Sequence, residues 1–301
     1  MNLQHSVARL GGSALAAAGL VGLVAWRKQA LTADGALAAT TVGAVVLARG
    51  GPPAAASLVA FFVTSTALSR FKQREKARRG VLAQAKGGPR DAWQVLANGG
   101  AAAACLALWG RRGAAGYLGA LATAGADTWA TELGLLARKP PRLISTLRPV
   151  PPGTSGAITP EGTMAAVAGA ATVGAVWQLA QHLWPDSAFH GAFPRSRYLV
   201  PIVSAIGMLG ALTDSILGAA IQGSYWCPIC QEPSEAPVHP RCGQKTNLVR
   251  GWSWITNDAV NALATASGAA MGAVVGAAVD ALGPKGTKPY RPRWSAAMLR
   301  V

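Results

Sequence analysis

Acidic side chains lie within long apolar stretches of the chain, where a carboxylate is costly to bury. Asp127, Glu132 and Asp214 are the clearest cases, and Asp258 lies at the start of the last stretch. A carboxylate at bilayer depth costs about 2.5 kcal/mol or more, so such residues indicate a functional site. Mg²⁺ takes one or two carboxylates together with phosphate oxygens. We therefore expect all four acids to be catalytic, with Asp127, Glu132 and Asp214 as magnesium ligands. A proton or cation relay in a transporter is the alternative.

Polar residues also mark the starts of two apolar stretches. Asp91 is followed by Gln94 and Asn98 at i+3 and i+7, which places the three on one face of a helix. An acid at a helix start often only caps the helix, and this is the competing interpretation for Asp91 and Asp258. The polar residues that we expect at a nucleotide or phosphate site are Asp91, Asn98, Asn257 and Asn261.

Three of the four cysteines lie close together with a histidine. Cys227, Cys230, His239 and Cys242 have the spacing C-x2-C-x8-H-x2-C. Two ligand pairs of this kind are typical of a closed tetrahedral zinc site, which holds a structure together and leaves no open position for chemistry. The sequence therefore predicts a structural Zn²⁺ in a small loop. Free thiols are the alternative.

The connection after residue 137 combines cations with a turn of small residues. Gly153, Thr154, Ser155 and Gly156 form a Gly-Thr-Ser-Gly turn, whose backbone N–H groups and hydroxyls can surround an anion. No Walker sequence GxxxxGK[ST] occurs, and such turns are also common without a ligand. The cations that we expect to offset phosphate charge are Lys139, Arg142, Arg148 and, before the fourth apolar stretch, Arg90.

The apolar stretches predict a membrane protein. The 301-residue chain is 51% hydrophobic and only 13% charged, about half of the ~25% charge of a soluble protein. This composition excludes a disordered chain and an ordinary cytosolic protein. The length of these stretches is close to the ~20 residues that cross a bilayer, and their small residues allow helices to pack closely. They predict an all-α polytopic bundle. The eight predicted spans are 10–25, 33–48, 53–69, 91–109, 115–137, 163–181, 196–222 and 256–280.

The spans divide the chain into three regions. Residues 1–32 form an N-terminal span and linker, for which a cleaved signal peptide is the alternative. Residues 33–281 form the catalytic bundle, with the zinc-binding loop at 223–252, and residues 282–301 form a basic tail.

Basic residues predict the orientation of the bundle. The connections after spans one, three, five and seven hold 17 of the 28 Lys and Arg residues. Because basic loops stay inside the cell, we expect these connections, the zinc loop and the active site on the cytoplasmic side of a bacterial or archaeal cell membrane. Both termini are then outside, although the basic tail argues against this. The net charge of +16 suits anionic lipid, and we expect no nucleic acid.

Four segments, Gly125–Gly134, Lys139–Arg142, Pro149–Gly156 and Asn257–Asn261, together resemble the integral membrane family called domain of unknown function 92. That family includes the phytyl-phosphate kinase of plastids and cyanobacteria. The resemblance runs from about residue 33 to 280. The core Gly-x-Asp-x-x-Ala-x-x-x-Gly is also similar to that of phytol and dolichol kinases, whose cytidine-nucleotide sites are cytoplasmic. The zinc loop departs from the plant members, so we do not expect it to be essential for the chemistry.

The resemblance implies phosphoryl transfer from a nucleoside triphosphate, CTP or ATP, to an isoprenoid monophosphate. A phosphate monoester is largely ionised at neutral pH, with a second pKa of ~6, so no strong general base is needed. A lipid-phosphate transporter or flippase and a membrane cytidylyltransferase are the alternatives. The sequence does not decide how long the acceptor chain is, which nucleotide is the donor, or which oligomer forms. A homodimer is one expectation.

Overall fold

A computed structural model describes residues 3–78, 88–185 and 198–282. The described chain is mostly helical. Its helices are α1 (Leu3–Arg27), α2 (Ala33–Arg70), α3 (Gln73–Arg78), α4 (Ala92–Trp109), α5 (Ala114–Gly134), α6 (Pro160–Leu183), α7 (Leu199–Ala220) and α8 (Asn257–Leu282). The predicted tail, apart from Leu282, and the start of the seventh predicted span lie outside the described residues.

Helix α2 contains two of the predicted spans. Gly51 interrupts it with φ 64° and ψ −167°, and two prolines follow directly. A positive φ is easy for glycine, which has no Cβ. Arg70 at the end of α2 donates a hydrogen bond of 2.7 Å to the carbonyl of Lys28, just before its start. A straight helix of this length would separate these ends by ~57 Å. The two arms, 33–50 and 52–70, are therefore antiparallel.

Helix α5 lies at the centre of the bundle and packs against α2, α4, α6, α7 and α8. All of its residues from Ala114 to Ala126 are buried. Small residues make this possible: a Cβ on Gly119 would collide with the carbonyl of Gly268 in α8. Such close backbone approach is typical of helices that pack without a hydrophobic driving force.

Four connections meet at one end of the bundle, which we call the site face. They are the links from α1 to α2, from α2 to α4, from α5 to α6 and from α7 to α8. Leu31 pairs with Arg90 and so joins the first two connections, and Ser155 bonds Gln222 and so joins the last two. Ser69 of α2 bonds Glu132 of α5 near the same ends of their helices. These are the four connections that the sequence predicts to share one side.

Short strands in these connections correct the expectation of a purely helical protein. Strand β1 (Arg142–Leu143) pairs with β2 (Ala157–Ile158). In the α7–α8 connection, β3 (Ser224–Cys227), β4 (Glu232–Ser234) and β5 (Asn247–Arg250) form an antiparallel sheet in the order β4-β3-β5. The backbone N–H and C=O groups of these connections need hydrogen-bond partners, and the small sheets provide them.

Four described helices are long and apolar enough to cross a membrane: Ala33–Arg70, Pro160–Leu183, Leu199–Ala220 and Asn257–Val279. Helices α4 and α5 are not among them. Both carry polar residues within their length, with Gln94 and Asn98 in α4 and Asp127 and Glu132 in α5. By length and composition, four of the described helices are therefore candidate spans, with α2 counted as one helix.

We expect Gly119→Ala to lower the stability of the bundle by about 1–3 kcal/mol, because its methyl group would push α5 away from α8. Gly100→Ala is the matched control, because a Cβ at Gly100 meets nothing within 4 Å. Alanine also favours a helix interior over glycine. Thermal unfolding of both variants in detergent measures the effect. Equal midpoints for Gly119→Ala and the wild type would contradict this packing.

Candidate functional site

Asp127 and Asp214 form a pair near the site face. Asp127 lies seven residues before the end of α5, and Asp214 six residues before the end of α7, so each is ~10 Å deep. Their carboxyl groups are within hydrogen-bonding reach of each other. One turn further from the face, Thr123 of α5 fills the space beside Gly210 of α7. This contact brings the two helices, and so the two acids, together.

The acid pair needs a proton or a cation. Two ionised carboxylates at hydrogen-bonding distance repel each other strongly. Among the described residues, no Lys or Arg forms an ion pair with either acid. Asp214 Oδ2 is buried and has no hydrogen-bond partner within the described part of the chain. Two carboxylates with a free oxygen fit the donor set of a hard divalent cation.

Glu132 is not part of this pair, contrary to the expectation from the sequence. It lies five residues after Asp127, which turns it ~140° around α5. Its carboxylate pairs with the buried ammonium of Lys76 and accepts a 2.6 Å hydrogen bond from Ser69. The Glu132 carboxylate also acts electrostatically on the guanidinium of Arg90. Because Lys76 neutralises it, Glu132 has a structural ion pair here and is a poor metal ligand.

A cavity of about 190 Å³ lies between α1, both arms of α2, and α4. Its wall is mostly Ala, Gly, Val, Leu and Phe, and its polar groups are Arg90, Gln94, Asn98 and Thr128. Thr128 directly follows Asp127 in α5, and Asp127 and Asp214 are not among the residues that line the cavity. Burial lowers the pKa of Arg90, and the nearby Glu132 carboxylate opposes this. The cavity can therefore take an apolar chain with an anionic head.

Polar residues lie at the starts of α4 and α8, and those of α4 have structural partners. Asp91 is the N-cap of α4: its carboxylate accepts from the backbone N–H of Gln94, and the backbone N–H of Asp91 donates to the side-chain oxygen of Gln94. Asn98 donates to the carbonyl of Gln94 at 2.9 Å. The competing interpretation of Asp91 as a cap is thus correct. At the start of α8, Asn257, Asp258 and Asn261 lie on the site face, where Thr256 provides the cap.

The Gly-Thr-Ser-Gly turn packs against α7 and does not form an open anion nest. Ser155 Oγ donates to Gln222 at 2.7 Å, and Thr154 Oγ1 donates to the carbonyl of Pro151 at 2.7 Å. Gly156 lies directly on the last turn of α7, where a side chain would collide with Ala219. Both hydroxyls are therefore used within the protein. The cations predicted nearby are exposed at the site face: Lys139, Arg142 and Arg148.

Three residues at the site were not predicted from the sequence. Gln222 is 1% exposed and connects Ser155 to Glu235, to which its amide donates at 3.2 Å. Glu235 in turn acts electrostatically on Asp214. Arg250 donates to the carbonyl of Ser155 at 2.9 Å. These side chains hold the α5–α6 and α7–α8 connections together. They lie in connections without helical periodicity, Arg250 at the end of β5, so the sequence contains no signal that they contact one another.

The four predicted zinc ligands meet in the α7–α8 connection. The ligand atoms of Cys227, Cys230, His239 and Cys242 all lie within 4.8 Å of one another, and Nδ1 of His239 is 3.3 Å from the sulfur of Cys242. This Cys₃His group could bind a metal ion. The thiols also titrate differently: the backbone N–H of Cys230 lowers the pKa of Cys227, whereas the neighbouring Cys242 raises that of Cys230 to about 11.

Glu232 lies beside the Cys₃His group. Its Oε1 accepts a 2.9 Å hydrogen bond from Arg241, and its Oε2 lies 3.9 Å from Nε2 of His239, which is too far for a hydrogen bond. Nδ1 is the nitrogen of His239 that faces the sulfur of Cys242.

Known proteins resemble this chain over most of its length. Protein PGR of Arabidopsis thaliana is 30% identical over 260 residues, which are 80% of this chain and 88% of that protein. An uncharacterized membrane protein of Methanocaldococcus jannaschii is 31% identical over 206 residues, 67% of this chain and 79% of the other. Protein VTE6, chloroplastic, of Arabidopsis thaliana is 26% identical over 250 residues, 79% of this chain and 63% of that protein. No solved structure matches.

The family model for "Integral membrane protein DUF92" matches residues 16–269. The match begins inside α1, earlier than the expected start near residue 33, and ends inside α8. It contains the acid pair, the cavity and the Cys₃His group. The resemblance found in the sequence is thereby confirmed, and this chain belongs to the DUF92 family of integral membrane proteins.

Proposed function

We propose that this protein is a membrane kinase that transfers a phosphoryl group from a nucleoside triphosphate to an isoprenoid monophosphate. The observation that carries the proposal is the pair of Asp127 and Asp214 near the site face, which is without a Lys or Arg ion-pair partner among the described residues. A divalent cation would bind there, and the apolar cavity with Arg90 at its polar part would take an anionic lipid. Membership of a family that includes the phytyl-phosphate kinase supports the same substrate class.

We propose that eight helical segments cross the membrane: α1, the two arms of α2, and α4 to α8. Exposed tryptophans at both ends of the helices support this, because tryptophan prefers the two membrane interfaces. Trp93 and Trp109 are exposed at the two ends of α4, ~24 Å apart along its axis. Others follow the same pattern, with Trp26, Trp252 and Trp254 at the site face and Trp184 at the opposite end.

The basic connections at the site face support a cytoplasmic orientation of the active site in a bacterial or archaeal cell membrane. Exposed Lys139, Arg142 and Arg148 would attract the donor triphosphate, CTP or ATP, to that face. Arg90 would hold the phosphate of the acceptor, whose isoprenoid tail would lie along α1 between Ala17 and Ala25. That part of the cavity is ~12 Å long.

In the proposed reaction, an oxygen of the acceptor phosphate attacks the γ-phosphorus of the donor, and the bond from that phosphorus to the β-phosphate oxygen breaks. The products are an isoprenoid diphosphate and a nucleoside diphosphate. Asp127 and Asp214 would hold Mg²⁺, which neutralises donor phosphate charge when it is bound. Arg90 positions the attacking phosphate, so the two anions come together without a general base.

The alternatives have less support. A transporter or flippase is favoured by helices broken at the midplane around the binding site. In the described chain, the helices that carry the acid pair, α5 and α7, are continuous, and both acids lie towards one face. A membrane cytidylyltransferase could use the same residues, but it would release pyrophosphate and attach a nucleotide to the lipid.

We expect Asp127→Asn to lower transfer of the γ-phosphoryl group by 100-fold or more, because the amide cannot hold a cation together with Asp214. The measurement follows γ-labelled CTP and ATP with a series of isoprenoid monophosphates in nanodiscs. Glu161→Gln is the matched control, since Glu161 is an exposed acid at the start of α6. Wild-type turnover in Asp127→Asn would contradict the cation site. Pyrophosphate release by the wild type would favour the cytidylyltransferase.

We expect Val95→Trp to fill the cavity and raise KM for the acceptor about tenfold or more, with KM for the nucleotide unchanged. Val95 lines the cavity, whereas its neighbour Leu96 is exposed on the outer side of α4. Leu96→Trp is therefore the matched control. Equal acceptor KM values for the two variants would place the isoprenoid tail elsewhere.

We also propose that the Cys₃His group holds one structural Zn²⁺. Purified protein is expected to contain about one zinc per chain by elemental analysis, and Cys230→Ser to lose it, because a tetrahedral site needs all four ligands. Cys105→Ser is the control, since Cys105 is buried in α4 outside the group. Zinc retained in Cys230→Ser, or absent from the wild type, would contradict the proposal.

A further inference from the structure

The cavity between α1, both arms of α2, and α4 is not closed on every side. Two valines in its wall, Val21 of α1 and Val59 of the second arm of α2, are 48% and 45% exposed. Ala17, one turn before Val21, also lines the cavity and is exposed. Part of the cavity wall is therefore also part of the outer surface of the bundle.

Helix contacts close the other sides of the cavity. Gly22 of α1 lies against Thr40 of the first arm of α2, and Gly99 of α4 lies against Val42 of the same arm. Helix α5, which packs against both α2 and α4, contributes Thr128 to the wall. The side that these contacts leave is the one between α1 and the second arm of α2.

A hydrogen bond spans this side at the site face, where Arg70 donates at 2.7 Å to the carbonyl of Lys28. Both residues are exposed, and an exposed hydrogen bond is readily exchanged for bonds to water. Val21 lies ~9 Å below the end of α1 at Arg27, and Val59 lies ~16 Å below Arg70. In the proposed orientation, both valines are at the depth of the hydrocarbon layer.

The chemistry of the cavity wall selects a lipid with an anionic head. Among the described lining residues, Arg90 is the only charged one, and its guanidinium donates to Thr66 Oγ1 at 3.5 Å. Thr66 lies one turn of α2 below Arg70, so the cationic group is close to the site-face end of the open side. A lipid phosphate already has its tail among the other lipids, and removing that tail into water is costly for every methylene group.

We propose that the opening between Val21 of α1 and Val59 of α2, the lipid window, is the route by which an isoprenoid monophosphate enters the cavity from the bilayer. The inference rests on the proposed acceptor site in this cavity. The tail passes between the two valines while the Arg70–Lys28 hydrogen bond opens for the phosphate, which then binds Arg90. The nucleotide comes from water at the site face, so the two substrates have separate routes.

The experiment measures a dansyl-labelled isoprenoid monophosphate bound to the protein in nanodiscs, without nucleotide. Equilibrium fluorescence gives Kd, and displacement by excess unlabelled isoprenoid monophosphate in a stopped-flow instrument gives the release rate. We expect the double variant Val21→Trp and Val59→Trp to lower the release rate about tenfold or more, with Kd within about twofold of the wild-type value. A narrower route raises the barrier for entry and release alike and leaves the bound state as it is.

The double variant Val24→Trp and Val63→Trp is the matched control. These valines lie in the same two segments and are 51% and 55% exposed, but they are not among the residues that line the cavity. Their replacement adds the same bulk to the lipid-facing surface and is expected to leave both the release rate and Kd unchanged. Val95→Trp, which fills the cavity, is expected to raise Kd instead.

Three outcomes overturn the proposal. A release rate in the window variant equal to that of the control variant would place the entrance elsewhere. A raised Kd with an unchanged release rate would make Val21 and Val59 part of the binding surface rather than of a route. A wild type without saturable binding of the labelled lipid overturns the proposed acceptor site and the window with it, so the two kinds of failure are distinguishable.

Discussion

Two carboxyl groups within hydrogen-bonding reach of each other inside an apolar helix bundle are the constraint on which the site depends. Asp127 and Asp214 come from different helices and have no Lys or Arg ion-pair partner among the described residues. The pair can persist only with a shared proton or a bound cation. The surrounding structure is consistent with the cation, because exposed basic residues at the same face would attract an anionic donor.

Close helix packing makes this pair possible. Gly210 lies against Thr123, and Gly125 and Gly169 bring α5 and α6 together in the same way. Helix α5 is therefore closely packed against its neighbours, and Asp127 near its site-face end reaches Asp214 of α7. At the face itself, Gln222 and Arg250 join connections that are distant in sequence. The bundle positions the acids, and the loops limit what can approach them.

Much of this could be predicted from the sequence, because helix ends and ligand spacing are local signals. The reversal at Gly51, the four connections at one end and the Cys₃His group follow from glycine, proline, charge and spacing. The prediction that Glu132 lies with Asp127 was wrong for a geometric reason. A step of five residues along a helix turns the side chain to a different face of the helix. Its partner Lys76 comes from the short helix α3, whose position depends on tertiary packing. The contact of Glu235 with Gln222 could not be predicted, since it depends on the fold of the α7–α8 connection.

The most direct test of the account is to locate a divalent cation. Crystals grown with Mn²⁺ and a non-hydrolysable nucleotide would give an anomalous signal at the metal. The account predicts one peak between the carboxylates of Asp127 and Asp214, at the site-face end of α5 and α7. Two carboxylates that face different neighbours, with the peak elsewhere or absent, would contradict it.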